Sequence, residues 1–135
     1  MAWQPGDNAN RITLHLAFMG SLIYDFGSTT GRQYITAPGN WVNNYHILEA
    51  YHDTGSVSKT FIDGSELASD TFGGVTLDNT ATLTLYIGGE GSCCYLEGSI
   101  AELLVYNRSL TVEEKQKVQC YLSKKYNLAV TPTCN

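Results

Sequence analysis

The chain has 135 residues, enough for one domain of ordinary size and too few for two. Hydrophobic residues make up 43% and charged residues 16%, below the roughly 25% of an average soluble domain, so the chain can bury a core and does not read as disordered. A net charge of −5 argues against nucleic acid as partner, and no apolar run approaches the ~18 residues of a membrane span.

Thirteen Gly and nine Tyr, with many Thr, form a strand-and-turn composition. The first residues, Met1-Ala2-Trp3-Gln4-Pro5-Gly6, show neither the basic nor the apolar region of a signal peptide. If the protein is secreted, its place is extracellular or on the cell surface. Ile12, Leu14, Leu16 and Phe18 then alternate with Arg11, Thr13, His15 and Ala17, which predicts a strand with one buried face. After the turn at Gly20 and Ser21, Leu22, Tyr24 and Phe26 alternate in the same way, so the two strands form a hairpin. Residues 27–44 are rich in Gly, Ser, Thr, Pro and Asn and read as loop, with a short strand at 33–36.

A further strand is expected over 45–52. Asp63-Gly64 between the strand-like runs 57–62 and 65–70 predicts a two-residue hairpin turn, which needs residues that tolerate positive φ. Ala81, Leu83, Leu85 and Ile87 alternate with Thr82, Thr84 and Tyr86 and predict another strand, ended by Gly88-Gly89. Residues 95–106 (YLEGSIAELLVY) are apolar at nearly every position in their second half, the pattern of a strand buried on both faces. One helix is predicted over 111–126, followed by a short tail. Thr111 and Glu114 form a capping box, Lys124 and Lys125 suit the negative end of the dipole, and Asn127 suits a left-handed C-cap. Val118, Leu122 and Tyr126 share one of its faces. About seven strands and one terminal helix make residues 1–135 a single all-β domain, an antiparallel β-sandwich with a C-terminal helix.

Charge is unevenly placed. Residues 1–107 carry eleven acidic and three basic groups, a balance of −8, and residues 108–135 carry +3. The excess of lysine fits a solvated helix face, and it also fits a second interaction surface.

The loop Gly39-Asn40-Trp41-Val42-Asn43-Asn44-Tyr45, with Arg32 upstream, has the composition of a glycan site. An aromatic ring stacks on the sugar while amides and charged groups bond its hydroxyls. The candidate ligand-binding residues are therefore Arg32, Asn40, Trp41, Asn43, Asn44 and Tyr45. The same residues fit a second reading, in which Trp41 plugs the end of the sandwich and the asparagines form turns. His15, His46 and His52 read as satisfied strand histidines rather than zinc ligands. The four cysteines Cys93, Cys94, Cys120 and Cys134 allow two disulfides in three pairings. Adjacent Cys93 and Cys94 could bond each other only in a strained ring, so a link from one or both to Cys120 or Cys134 is expected.

Residues 96–128 carry a Gly98, Ile100, Glu102 pattern, a Tyr106-Asn107-Arg108 turn, and Tyr121-Leu122 followed by Lys125-Tyr126 and Leu128. With Phe61-Ile62-Asp63-Gly64 and Tyr86-Ile87-Gly88-Gly89, this order resembles bacterial laminin-G-like jelly-roll domains of the concanavalin A-like lectin/glucanase superfamily. The resemblance covers about residues 10–128 and implies a jelly roll. It further implies a non-catalytic module binding carbohydrate or a cell-surface glycoconjugate. A protein-binding assembly module without a sugar site is the first alternative, and a glycoside hydrolase relative the second. Retaining hydrolases need two carboxyls about 5–5.5 Å apart on one face. Glu97 and Glu102 are five positions apart and fall on opposite faces of a regular strand. Glu102 is expected to bond backbone or Arg108.

No cofactor is required on this reading. Related domains bind calcium through loop carboxylates, so the resemblance also allows a calcium ion at Asp25 and Asp53. Such domains begin with strands further upstream, which implies that this chain starts inside the domain and leaves an edge or part of the core uncovered. A homodimer through a sheet edge or exposed core face is the corresponding expectation.

Overall fold

The computed structural model describes residues 2–4, 12–18, 21–39, 41, 43–53, 57–72, 84–89 and 95–134. Among them, β1 (Ala2–Gln4), β2 (Ile12–Phe18), β3 (Ser21–Phe26), β4 (Ser28–Thr36) and β8 (Thr84–Tyr86) build one antiparallel sheet in the order β4-β3-β2-β1-β8. A second antiparallel sheet has the order β5-β6-β7, from β5 (Leu48–His52), β6 (Val57–Ile62) and β7 (Ser65–Thr71). Helix α1 (Val112–Tyr126) follows. The fold is an antiparallel β-sandwich with one C-terminal helix.

Cross-strand register decides which side chains meet. Leu22 pairs with Ile35 and Tyr24 with Gln33, so these four share one face of β3 and β4; all are buried. Burial pushes the Tyr24 hydroxyl well above the usual tyrosine range. Ser58, Thr60 and Ile62 alternate inward on β6 and are buried as well. Gln33 crosses between the sheets: its Nε2 donates to Ser58 O and to Asp70 Oδ2, both at 2.9 Å, and Thr60 Oγ1 donates to its Oε1 at 2.8 Å. Every polar atom of that buried amide is therefore matched, as a group removed from water requires. His52 on β5 stacks on Phe26 of β3 at 3.8 Å between centroids and closes the same interface.

The β6–β7 turn is the one expected, with φ of 48° at Asp63 and 83° at Gly64. The loop expected over 27–44 is shorter than that, because β4 runs nine residues, Ser28–Thr36. Its polar composition hides a strand that needs only β3 beside it for its backbone bonds. Strand β5 starts at Leu48 rather than 45, because Asp63 captures the backbone of Ile47 from both sides: Ile47 N donates to Asp63 Oδ1 and Asp63 N donates to Ile47 O, each at 2.9 Å.

The largest departure is residues 95–106. No part of this run is a strand, and Ile100 and residues 103–106 are exposed. Apolar pattern alone cannot make a strand; a ladder needs a neighbour, and none of the described strands flanks this segment. The run lies instead against helix α1.

The helix ends are as the sequence predicts. Thr111 and Glu114 make both bonds of the capping box, and Asn127 is left-handed at φ 53° and ψ 48°. The helix packs on the outward face of the smaller sheet. Lys115 Nζ lies 4.3 Å from the Tyr51 ring centroid and 4.8 Å from that of Phe61, and Gln119 Nε2 donates to Glu49 Oε2 at 3.1 Å. Val118, Leu122 and Tyr126 are half-buried. Beyond the helix the tail returns over the β6–β7 turn, where Thr131 N donates to Asp63 O at 2.8 Å. Cys120 and Cys134 are joined in a disulfide.

Candidate functional site

The predicted glycan loop begins with a turn in which Trp41 N donates to Pro38 O at 3.0 Å. Trp41 stacks on His46, with centroids 5.2 Å apart and 17° between planes. His46 Nδ1 lies 2.7 Å from Asp63 Oδ2, so the turn of the β6–β7 hairpin holds the imidazole, and the imidazole holds the indole. Asn43 takes a left-handed conformation at φ 69°, which an asparagine tolerates. Asn43, Asn44 and Tyr45 are exposed, Tyr45 by 59%. Trp41, Asn43, Asn44 and Tyr45 thus belong to one loop beside a braced aromatic pair. Asn40 lies outside the described residues.

Arg32 does not belong to that loop. It is a β4 residue paired with Asp25 of β3. Its Nε donates to Asp25 Oδ1 at 2.5 Å and its Nη2 to Oδ2 at 2.8 Å, a two-pronged pair with a fully buried carboxylate. Its Nη1 donates to Tyr34 OH at 3.3 Å. The Asp25 bond raises the guanidinium further above its already high range. Two residues of separate sequence-level readings, Arg32 for sugar and Asp25 for calcium, therefore hold each other. Both Asp25 oxygens face a cation already. Asp53 Oδ1 accepts from Val57 N at 2.9 Å and shapes the entry to β6. Among the described residues, no group of three or more His, Cys, Asp or Glu is placed to hold a metal ion.

His52 Nδ1 lies 2.8 Å from Ser58 Oγ, and burial lowers its pKa below the ordinary histidine value, with Asp53 opposing. Glu102 is a helix anchor. Its carboxylate accepts from Tyr121 OH at 3.2 Å, Lys125 Nζ at 3.0 Å and Tyr126 OH at 3.0 Å, and these bonds, Lys125 first, lower its pKa. The expected partner Arg108 is engaged by Glu114 instead, at 2.7 and 2.8 Å. Glu97 is exposed.

Sequence reasoning missed two features. Asp63 was legible only as a turn residue, although its side chain also braces the aromatic pair. Tyr86, Ile87, Gly88, Gly89 and Tyr95 line an open notch of about 220 Å³. A Cβ at Gly89 would stand 2.8 Å from the Tyr95 ring, so glycine lets that ring close on the backbone. The cysteine expectation is corrected: Cys120 bonds Cys134, which leaves neither for Cys93 or Cys94. Those two lie outside the described residues.

Neither a search of curated proteins nor a search of solved structures returned a match. The model of a laminin-G-type family matches residues 2–114, which include the eight strands of the described residues, both members of the Trp41–His46 pair and the start of the helix. That superfamily names lectins and glucanases together, so the match fixes descent and architecture and leaves binding and catalysis to be argued from the site. The chain belongs to the concanavalin A-like lectin/glucanases superfamily.

Proposed function

We propose that this domain is a non-catalytic binding module that recognises carbohydrate through the loop around Trp41. One observation carries the reading: a half-buried tryptophan stands beside the exposed residues Asn43, Asn44 and Tyr45, fixed by His46, which Asp63 fixes in turn. Such a ring offers a flat apolar face to the C–H side of a pyranose at low entropic cost. The amides of Asn43 and Asn44 and the Tyr45 hydroxyl supply donors and acceptors of the kind sugar hydroxyls need. The engagement of Glu102 by three helix side chains supports binding over hydrolysis, because it gives that carboxylate a structural task.

A glycan array with wild type and Trp41→Ala tests the reading. Binding by wild type that disappears in Trp41→Ala is the expected result. Wild type that binds no glycan removes the proposal, and binding that survives Trp41→Ala moves it away from this loop.

An assembly role is the second reading. The exposed apolar run at residues 100–106 favours it, since monomeric soluble proteins rarely leave contiguous apolar surface uncovered.

A further inference from the structure

The tail after helix α1 starts from a fixed point, because Leu128 N donates to Ser123 O at 3.0 Å and Ser123 Oγ donates to Leu128 O at 2.6 Å. Beyond Leu128 it makes one backbone hydrogen bond among the described residues, from Thr131 N to Asp63 O at 2.8 Å. The approach there is close, since a Cβ on Gly64 would stand 1.7 Å from Thr131 O. Thr131, Pro132 and Thr133 are nonetheless exposed, so little apolar burial keeps the tail down. One hydrogen bond does not offset the entropy of ordering residues 129–134, which leaves the Cys120–Cys134 disulfide to hold the far end.

The residue that the tail touches is the root of the Trp41 brace. Asp63 has a left-handed φ of 48°, a conformation that costs a residue with a Cβ and needs support from its surroundings. Its carbonyl takes the tail's bond, its Oδ2 lies 2.7 Å from His46 Nδ1, and His46 stacks on Trp41. Disulfide, tail, turn, imidazole and indole form one continuous series of contacts.

We propose that residues 128–134 are a redox-released strap: closed by Cys120–Cys134, it holds Asp63 in the conformation that braces His46 and Trp41, and a dithiol that opens the bridge loosens that brace. The inference rests on the reading of the Trp41 loop as a glycan site and adds the regulation of that site. The exchange needs no other reactant. One thiolate of the dithiol attacks a sulfur of the bridge, and its second thiol resolves the mixed disulfide. The dithiol leaves as its own disulfide, and Cys120 and Cys134 take up two electrons and two protons as thiols. Both cysteines are half-buried rather than enclosed, so a small dithiol has access. The two bonds between Asp63 and Ile47 do not involve the tail, so release weakens the brace without dissolving it.

Nuclear magnetic resonance of the Trp41 indole N–H tests the strap with no glycan present, the signal being assigned by its loss in Trp41→Phe. In the oxidised protein this signal should shift when dithiothreitol is added. Cys120→Ser with Cys134→Ser should show the shifted signal from the start and respond no further. Cys93→Ser with Cys94→Ser should respond as wild type does. Thr131→Pro deletes the donor to Asp63 with the disulfide closed, and it should move the signal the same way even if the serine pair fails to fold. The glycan array repeated in dithiothreitol should show binding about fivefold weaker, the worth of one hydrogen bond. An indole signal indifferent to dithiothreitol and to Thr131→Pro overturns the strap. So does a response to dithiothreitol that persists in a folded Cys120→Ser, Cys134→Ser protein. A responsive indole with no glycan bound by wild type removes the glycan reading and upholds the strap, and glycan binding with an unresponsive indole does the reverse.

Discussion

Helix α1 with its tail and the segment 95–106 lie against each other, and they differ in where their polar backbone is satisfied. The helix closes both its ends with its own neighbours, Thr111 and Glu114 at the start and Asn127 at the end. Its tail is tied back twice, by Thr131 to Asp63 and by Cys134 to Cys120. Segment 95–106 has the stronger apolar pattern of the two and makes no ladder. A helix carries its hydrogen-bond partners within four residues, so sequence can specify it alone. A strand borrows its partners from elsewhere, so the same strength of pattern leaves its state open.

The strongest way to break this comparison is to untie the tail. Cys120→Ser with Cys134→Ser opens a loop of sequence separation 14, for which chain entropy gives a loss of about 3 kcal/mol. Urea unfolding of the double variant measures it. If the loss is negligible, the tail is not part of what orders the helix side.

Next in size is the turn beneath the tail. Gly64 has φ of 83°, and a Cβ there would stand 1.7 Å from Thr131 O. Gly64→Ala incurs about 1–2 kcal/mol for the left-handed backbone and a further cost of about 1 kcal/mol or more for displacing Thr131. Because Asp63 also braces His46, the same variant should weaken glycan binding at Trp41 if that loop is the site. Unchanged stability would show that the tail does not lie over the turn.

What was legible in the sequence divides along the same line. Asp63-Gly64, the capping box and Asn127 are local signals, and each is found in place. The first half of β4 lies in a stretch whose Gly, Ser, Pro and Asn content points to loop, and pairing with β3 overrides that signal; its second half holds the short strand expected at 33–36. The Arg32–Asp25 pair depends on hairpin register, and the Trp41–His46–Asp63 chain joins residues brought together by a distant turn. Neither could be read from spacing. The cysteine pairing also needed the path of the tail.

A smaller effect is expected at the helix start. Thr111→Ala removes one capping bond and costs about 1 kcal/mol. Its partner Glu114 gives a pH signature. The Arg108 guanidinium, helped by the Thr111 backbone N–H, holds the Glu114 carboxyl at about 2 against an ordinary 4.5. A depressed carboxylate contributes stability that is present above pH 4.5 and is lost as pH falls toward about 2. Helicity followed through that window should decline less in Glu114→Gln than in wild type, and the difference should be modest because the group is solvent-exposed.

The smallest effect tests the other region. In a strand buried on both faces, Leu104→Ala would cost about 2–5 kcal/mol. Here Leu104 is 41% exposed and outside any ladder, so the loss should stay near or below about 0.5 kcal/mol. A large loss would mean that Leu104 is buried within its own chain. The contrast with the helix would then vanish, and the apolar pattern of residues 95–106 would have been a sufficient guide after all.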